Sequence, residues 1–230
     1  DCRRMWGMHR AGELDAEEIA DAGDRLMPTA GTCMVMGTAS TMALMSEALG
    51  MMLPGGAAIP AVHADRLRHA EATGTRAVAM AAERLTPDQI MTPDAFANAF
   101  KMLLATGGST NGLVHMTAVA GRLGIEVDLE ALDKLSDEIP VLVDLKPSGQ
   151  HYMEDLNNAG GAAPIMREIR QKLATDCLTV TGKTLGKNID AAPADWGQQV
   201  VKTAADPIFP KGGIAVLRGS LAPNGAIIKQ

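Results

Sequence analysis

The sequence predicts a mixed α/β chain, largely helical to about residue 205 and β after it. Three observations carry this. Apolar residues recur at helical spacing behind recognisable caps, as Phe96, Phe100 and Leu103 do after Thr92-Pro93. Two short apolar runs, 214–217 and 226–228, flank Pro223-Asn224-Gly225, a hairpin signal. Aromatic residues are few, with three Phe, two Trp and one Tyr in 230 residues, which argues against an all-β sandwich or a base-stacking surface.

Taken in order, residues 13–27 read as a helix with acidic residues early and Pro28 as its close. Residues 29–37 form a small-residue loop. A helix follows from about Thr38 to Leu49 with Gly50 as its stop. Pro54-Gly55-Gly56 and Pro60 mark irregular chain. Residues 64–84 read as helical with an interruption near Gly74. Thr92-Pro93 opens a helix that Gly107-Gly108 ends. Ser109 caps the next, with Leu113, Met116, Ala120 and Leu123 on one face and Gly124 as the stop. Asp128 starts another. Residues 141–143 suggest a short buried strand, and 152–158 and 163–173 two helices split by Gly160-Gly161. Residues 177–181 alternate like a strand. A change of fold is expected near Asp206-Pro207.

The chain carries 21 basic and 27 acidic residues, a net charge of −6, and 47% hydrophobic residues. That balance supports a real core and excludes a disordered tail. Lys and Arg do not cluster, so neither a nucleic acid nor an anionic membrane is an expected partner. The core must be built mainly from Ala, Leu, Val, Ile and the 15 Met. Three widely spaced cysteines, Cys2, Cys33 and Cys177, make no disulfide framework and suit a reducing, cytoplasmic setting. The chain opens at Asp1 and ends in what reads as a strand in progress, so an excised or incomplete sequence is expected.

Several residues could carry chemistry, and each has a plainer reading. Cys33 lies in a glycine-flanked loop before a helix, where a thiolate could ligate iron or gain from the helix dipole. By spacing alone it reads as a small buried hydrophobe, because one cysteine cannot hold a cluster. Cys2 and Cys177 read as inert. His63, Asp65 and His69 look like metal ligands but need further partners. Gly107-Gly108-Ser109-Thr110-Asn111 feeds a helix start, where free N–H groups and short polar side chains suit a carboxylate or phosphate; a plain Ser cap fits as well. His115, one turn on, could reach a site or sit in the core. Asp144, Glu154 and Asp155 could serve as acid–base or Mg²⁺ groups, or as surface residues and caps. Gly182-Lys183-Thr184 resembles the end of a P-loop, but that pattern needs Gly where Cys177 stands, so a nucleotide site is rejected.

The order of five blocks is more specific than any of these. They are Cys33-Met-Val-Met-Gly-Thr38-Ala39-Ser40-Thr41-Met42 running on to Leu53-Pro54-Gly55; Ala105-Thr-Gly-Gly-Ser-Thr-Asn111 with His115; Pro140-Val-Leu-Val-Asp-Leu-Lys-Pro147-Ser-Gly149 with Met153-Glu-Asp155 and Gly160-Gly161; Asp176-Cys-Leu-Thr-Val-Thr-Gly-Lys-Thr184-Leu; and Pro210-Lys-Gly-Gly-Ile-Ala-Val-Leu-Arg-Gly219 through Gly225. Together they span about residues 29–229. The sequence resembles the dihydroxy-acid and 6-phosphogluconate dehydratase family. Gly37-Thr-Ala-Ser-Thr-Met42 is similar to the sugar-acid branch, although Met34-Val35 match neither branch's commonest choice.

The resemblance implies the later part of an α/β N-terminal domain (residues 1–206) and the first hairpin of a β-barrel-like C-terminal domain (207–230). It implies an iron–sulfur hydro-lyase that dehydrates a 2,3-dihydroxy aldonic acid to a 2-keto-3-deoxy acid. The alternatives are dihydroxy-acid dehydratase of branched-chain amino-acid synthesis and a non-catalytic remnant of the fold. An iron–sulfur cluster, [2Fe–2S] ahead of [4Fe–4S], and Mg²⁺ are the implied cofactors. Cys33 matches a cluster cysteine, which reverses its plainer reading. Thr38, Ser40, Ser109, Thr110, Asn111 and His115 are the implied substrate-binding residues. The other cluster cysteines, the Cys-Asp-Lys signature and the signature with the serine base have no match here. The 230-residue chain is therefore expected to lack activity, and the full-length protein to be a homo-oligomer acting on a small acid.

Overall fold

A computed structural model describes residues 2–26, 29–194 and 197–229. The chain divides into two compact units, Asp1–Gly31 and Thr32–Gln230. Pro28, expected to close the second helix, and the Cys2 side chain lie outside what is described.

The first unit holds α1 (Cys2–Arg10) and α2 (Ala16–Arg25). The second helix begins at Ala16, later than the acidic run suggested, because Asp15 is its cap. The Asp15 carboxylate accepts the Glu17 and Glu18 N–H groups, and Glu18 accepts the Asp15 N–H. This reciprocal pair satisfies donors that a helix start leaves free.

The second unit runs α3 (Thr38–Ala48), α4 (Ala64–Glu83), α5 (Pro87–Ile90), α6 (Pro93–Thr106), α7 (Asn111–Arg122), α8 (Leu129–Glu138), α9 (Met153–Asn158), α10 (Ala162–Glu168), α11 (Leu185–Ala191), β1 (Ile214–Gly219) and β2 (Ala222–Lys229). It is a helical body with one two-stranded antiparallel sheet among the described residues. The core forms around α6, which packs against α3, α7, α8 and α10. Ten of its fourteen residues are buried. Thr92 caps its start through the Ala95 N–H, and Gly107, at φ 57°, ends it. Asn98, fully buried in α6, donates to the Ala174 carbonyl at 3.0 Å and accepts the Ala174 N–H at 2.9 Å, so it ties the 170s loop to the core.

Several expectations are corrected. Helix α4 runs unbroken through Gly74, since a single glycine costs a helix only about 1 kcal/mol. Residues 141–143 are buried, but they pair only through single bridges to Phe209 and Val201. Residues 177–181 do not extend into a strand. The Thr179 hydroxyl bonds the Lys183 carbonyl at 2.9 Å, which closes a turn, and Thr184 then caps α11 through the Lys187 N–H.

The hairpin is also built differently. Its connection is Ser220-Leu221, and Pro223-Asn224-Gly225 lies inside β2. The register runs Leu217 to Ala226 and then Gly219 to Ala222. Three residues therefore oppose Arg218, a bulge where proline has no N–H to give the ladder. The start of the first strand also meets the core. Ile214 is 1% exposed, its carbonyl accepts the Ser136 hydroxyl of α8 at 2.5 Å, and Asp133 accepts the Val216 N–H at 3.0 Å. Gly213 lies so close to Gly107 that an added Cβ would stand 2.4 Å from its Cα.

Candidate functional site

Helices α3 and α7 begin side by side. Gly108 and Gly112 allow it: a Cβ on Gly108 would fall 2.7 Å from the Thr41 methyl, and one on Gly112 would fall 2.9 Å from the Met45 sulfur. Without side chains at these positions, the 107–112 turn lies directly on α3. The Thr38 and Ser109 hydroxyls stand 3.3 Å apart. The Asn111 amide donates to the Thr38 hydroxyl at 2.9 Å, and the Ser109 hydroxyl accepts the Asn111 N–H at 3.2 Å. Buried Thr41 accepts the Ser109 N–H at 3.0 Å. The sequence reading passed over Thr41; its only signal is a hydroxyl one turn from Thr38 on an otherwise apolar face.

The six residues singled out as substrate-binding do not stand alike. Thr38, Ser109 and Asn111 form one network of two hydroxyls and an amide, with Thr110 between its members. Ser40 is 5% exposed, and its hydroxyl accepts the Gly37 N–H at 3.2 Å, which makes it the cap of α3. His115 is exposed on α7, not in the core, and follows Asn111 by one turn on the same face.

The Cys33 loop leads into α3. Cys33 is exposed and unpaired, and its sulfur accepts the Val35 N–H at 3.4 Å. The loop is stitched to the 144–155 segment: Met36 N–H donates to the Lys146 carbonyl at 3.0 Å, and Met153 N–H donates to the Met34 carbonyl at 2.8 Å. In that segment His151 lies between two carboxylates, 3.8 Å from Asp144 and 3.8 Å from Asp155. Asp155 also accepts the Tyr152 N–H, so it caps α9. Sequence motifs point to both carboxylates but not to His151, whose one signal is its place four residues before Asp155. Glu154 turns away to His63, 3.3 Å off.

His63, Asp65 and His69 do not converge. Asp65 pairs with Arg68, and the His69 ring meets the Leu53 carbonyl at 3.2 Å. Among the described residues no group of three His, Cys, Asp or Glu side chains could hold a metal ion. Cys177 is half-buried, and burial pushes its thiol pKa up, which suits an inert residue. No helix among the described residues is long and apolar enough to cross a membrane.

A family profile described as Dihydroxy-acid/6-phosphogluconate dehydratase N-terminal matches residues 1–188. The chain belongs to the dihydroxy-acid/6-phosphogluconate dehydratase family. Its similarity to curated members runs nearly end to end. It is 44% identical over 216 residues to a dihydroxy-acid dehydratase of Ignicoccus hospitalis, covering 93% of this chain and 39% of that protein. It is 41% identical over 225 residues to one of Caldanaerobacter subterraneus, covering 97% of this chain and 40% of that protein. A third, from Methanococcoides burtonii, is 42% identical over 227 residues, covering 97% of this chain and 41% of that protein. The chain thus spans about two fifths of the length of these relatives. Their shared name fits the branched-chain alternative better than the aldonic-acid reading.

Proposed function

We propose that the intact protein is a dihydroxy-acid dehydratase that removes water from a branched 2,3-dihydroxy acid to give a 2-keto acid, working in the cytoplasm as a homo-oligomer. The observation that carries this reading is the Thr38–Ser109–Asn111 network at two adjoining helix starts, with Cys33 five residues upstream, in a chain of this family. The same network serves an aldonate equally well, so the choice of substrate rests on the relatives' name.

An iron–sulfur cluster and Mg²⁺ are the cofactors that the family resemblance implies. Cys33 fits one place in such a group: its sulfur is exposed and outside any disulfide, so a metal could reach it. The remaining ligands would come from outside the described residues. When bound, the cluster and Mg²⁺ would supply Lewis acidity toward the leaving hydroxyl and the substrate carboxylate.

This chain's own residues have simpler tasks. Thr38 and Ser109 present hydroxyls that can donate to a carboxylate, and the dipoles of the two helix starts favour negative charge there. Asn111 holds Thr38 in place and can turn its amide to a substrate hydroxyl. His115 extends the same side of α7. The barrel-like domain expected to begin near residue 207 would then bring the signature with the serine base.

The test is Cys33→Ser in the intact protein. Visible iron–sulfur absorbance and activity should disappear together; a full iron and sulfide complement would overturn the assignment. Substrate choice is read from kcat/KM on a branched 2,3-dihydroxy acid against arabinonate. A higher value for arabinonate would restore the aldonic-acid reading.

A further inference from the structure

Helix α3 meets a cavity near its C-terminal end. Glu47 lies nine residues beyond Thr38, about 14 Å along the helix at 1.5 Å per residue. There it borders a cavity of about 560 Å³ between the 52–59 loop, the α9–α10 corner and α11. That volume is in the range of small-ligand sites. Met52, Ile59, Met166, Leu185 and Ile189 give the cavity apolar walls.

Glu47 is only 3% exposed. Its carboxylate accepts the Gly55 N–H at 2.8 Å and the Ala57 N–H at 3.0 Å, one on each oxygen. A carboxylate offers about four lone-pair positions, so about two remain. Among the described residues no cation pairs with it. The cavity lining contains no Lys, Arg or His; its polar groups are Glu47, Asp65 and the amides of Asn157, Asn158 and Asn188. Asp65 is held by Arg68 outside. A buried carboxylate is strongly disfavoured without a cation, and an anion would find only the side-chain amides here, beside the Glu47 carboxylate.

We propose that this cavity takes a primary ammonium group on a short aliphatic stem, with the ammonium on the free side of the Glu47 carboxylate and the stem along the apolar walls. Both a free small amine and a lysine side chain of another polypeptide segment have this chemistry. Burial pushes the Glu47 carboxyl above its usual value, and an ammonium beside it would bring it back down. Binding therefore releases a proton whenever Glu47 begins protonated. None of this depends on the reaction proposed above.

The probe is n-butylamine, titrated calorimetrically into the intact protein in two buffers of different ionisation enthalpy, with butyrate and butanol as controls. The amine should bind with proton release and butyrate should not. Ala163→Phe fills the cavity from α10 without touching Glu47 and should weaken binding at least about tenfold. Glu47→Gln should remove the proton release. If a lysine already fills the site, carbodiimide treatment should join it to Glu47, and peptide mapping will find the crosslink. Substituting that lysine should then admit n-butylamine. Absence of both amine binding and crosslink would overturn the proposal. So would butyrate binding as tightly as the amine, or equal amine binding by wild type and Ala163→Phe.

Discussion

Helices α4 and α6 differ in the opposite sense to their lengths. α4 is the longer, at 20 residues, yet none of them is buried. α6 has 14 residues and is the centre of the core. α4 is held by a few polar contacts: the His69 ring on the Leu53 carbonyl, the Arg66 guanidinium on the Ile59 carbonyl, and the Arg76 guanidinium on the Val180 carbonyl, with Glu83 of the same helix bracing Arg76. A long periodic helix is therefore no guide to where stability resides. Packing decides that, and the candidate site is mounted on the packed helices: α3 and α7 both lie against α6.

The sharpest way to break the contrast is to truncate one apolar residue in each helix. Phe96→Ala in α6, where Phe96 is 2% exposed, should cost about 3–5 kcal/mol. Val78→Ala in α4, at 74% exposure, should stay within about 0.5 kcal/mol. Urea midpoints measure both, and similar shifts would refute the contrast. A smaller effect is expected at Asn98. Asn98→Ala strands both polar groups of Ala174 and should cost about 1–3 kcal/mol, read from the same curves.

Next comes a pH effect at Glu47, whose loop also supports α4, since Gly56 lies against His69. The folded chain holds the Glu47 proton more tightly than the unfolded chain. Stability from this group is thus full below the ordinary value of 4.5 and is lost as pH rises through the higher folded value. Glu47→Gln should flatten the loss of stability above that pH, and an unchanged slope would count against it. The mildest change is Arg76→Ala, which should speed amide hydrogen exchange at the 179–183 turn while barely moving the urea midpoint. Equal exchange in both proteins would mean that the turn holds itself.

Local chemistry accounts for what was legible in the sequence. Thr92-Pro93, Gly107, Asp128 and Gly50 are caps and stops whose side chains or φ angles act within one turn, so they can be read without the fold. The misread elements depend on distant partners. Pro223-Asn224-Gly225 has turn composition, but the ladder with β1 fixes the register and moves the turn to Ser220-Leu221. The alternation at 177–181 is overruled by Thr179 and Lys183, which close it into a turn. Nothing in the spacing of Thr38 and Ser109, 71 residues apart, foretold a contact of 3.3 Å; the resemblance put both on the list, and only packing brought them together. Thr41 is hidden for the same reason, since its partner Ser109 lies 68 residues on.

Gly213 and Gly107 touch backbone to backbone, and Ser109 is two residues beyond the contact. In the language of mutational tolerance, Gly213 is a position that no second-site change of side chain can rescue. A residue added at Gly213 meets main chain, which cannot be trimmed by a compensating substitution. Variation in the hairpin should therefore accumulate from residue 217 outward, where the strand is exposed. Gly213 should stay invariant in any library selected for function, including libraries in which the whole core has been repacked, whereas an added Cβ on Gly107 would meet only the Val141 methyl at 3.7 Å and Gly107 is kept by its positive φ alone.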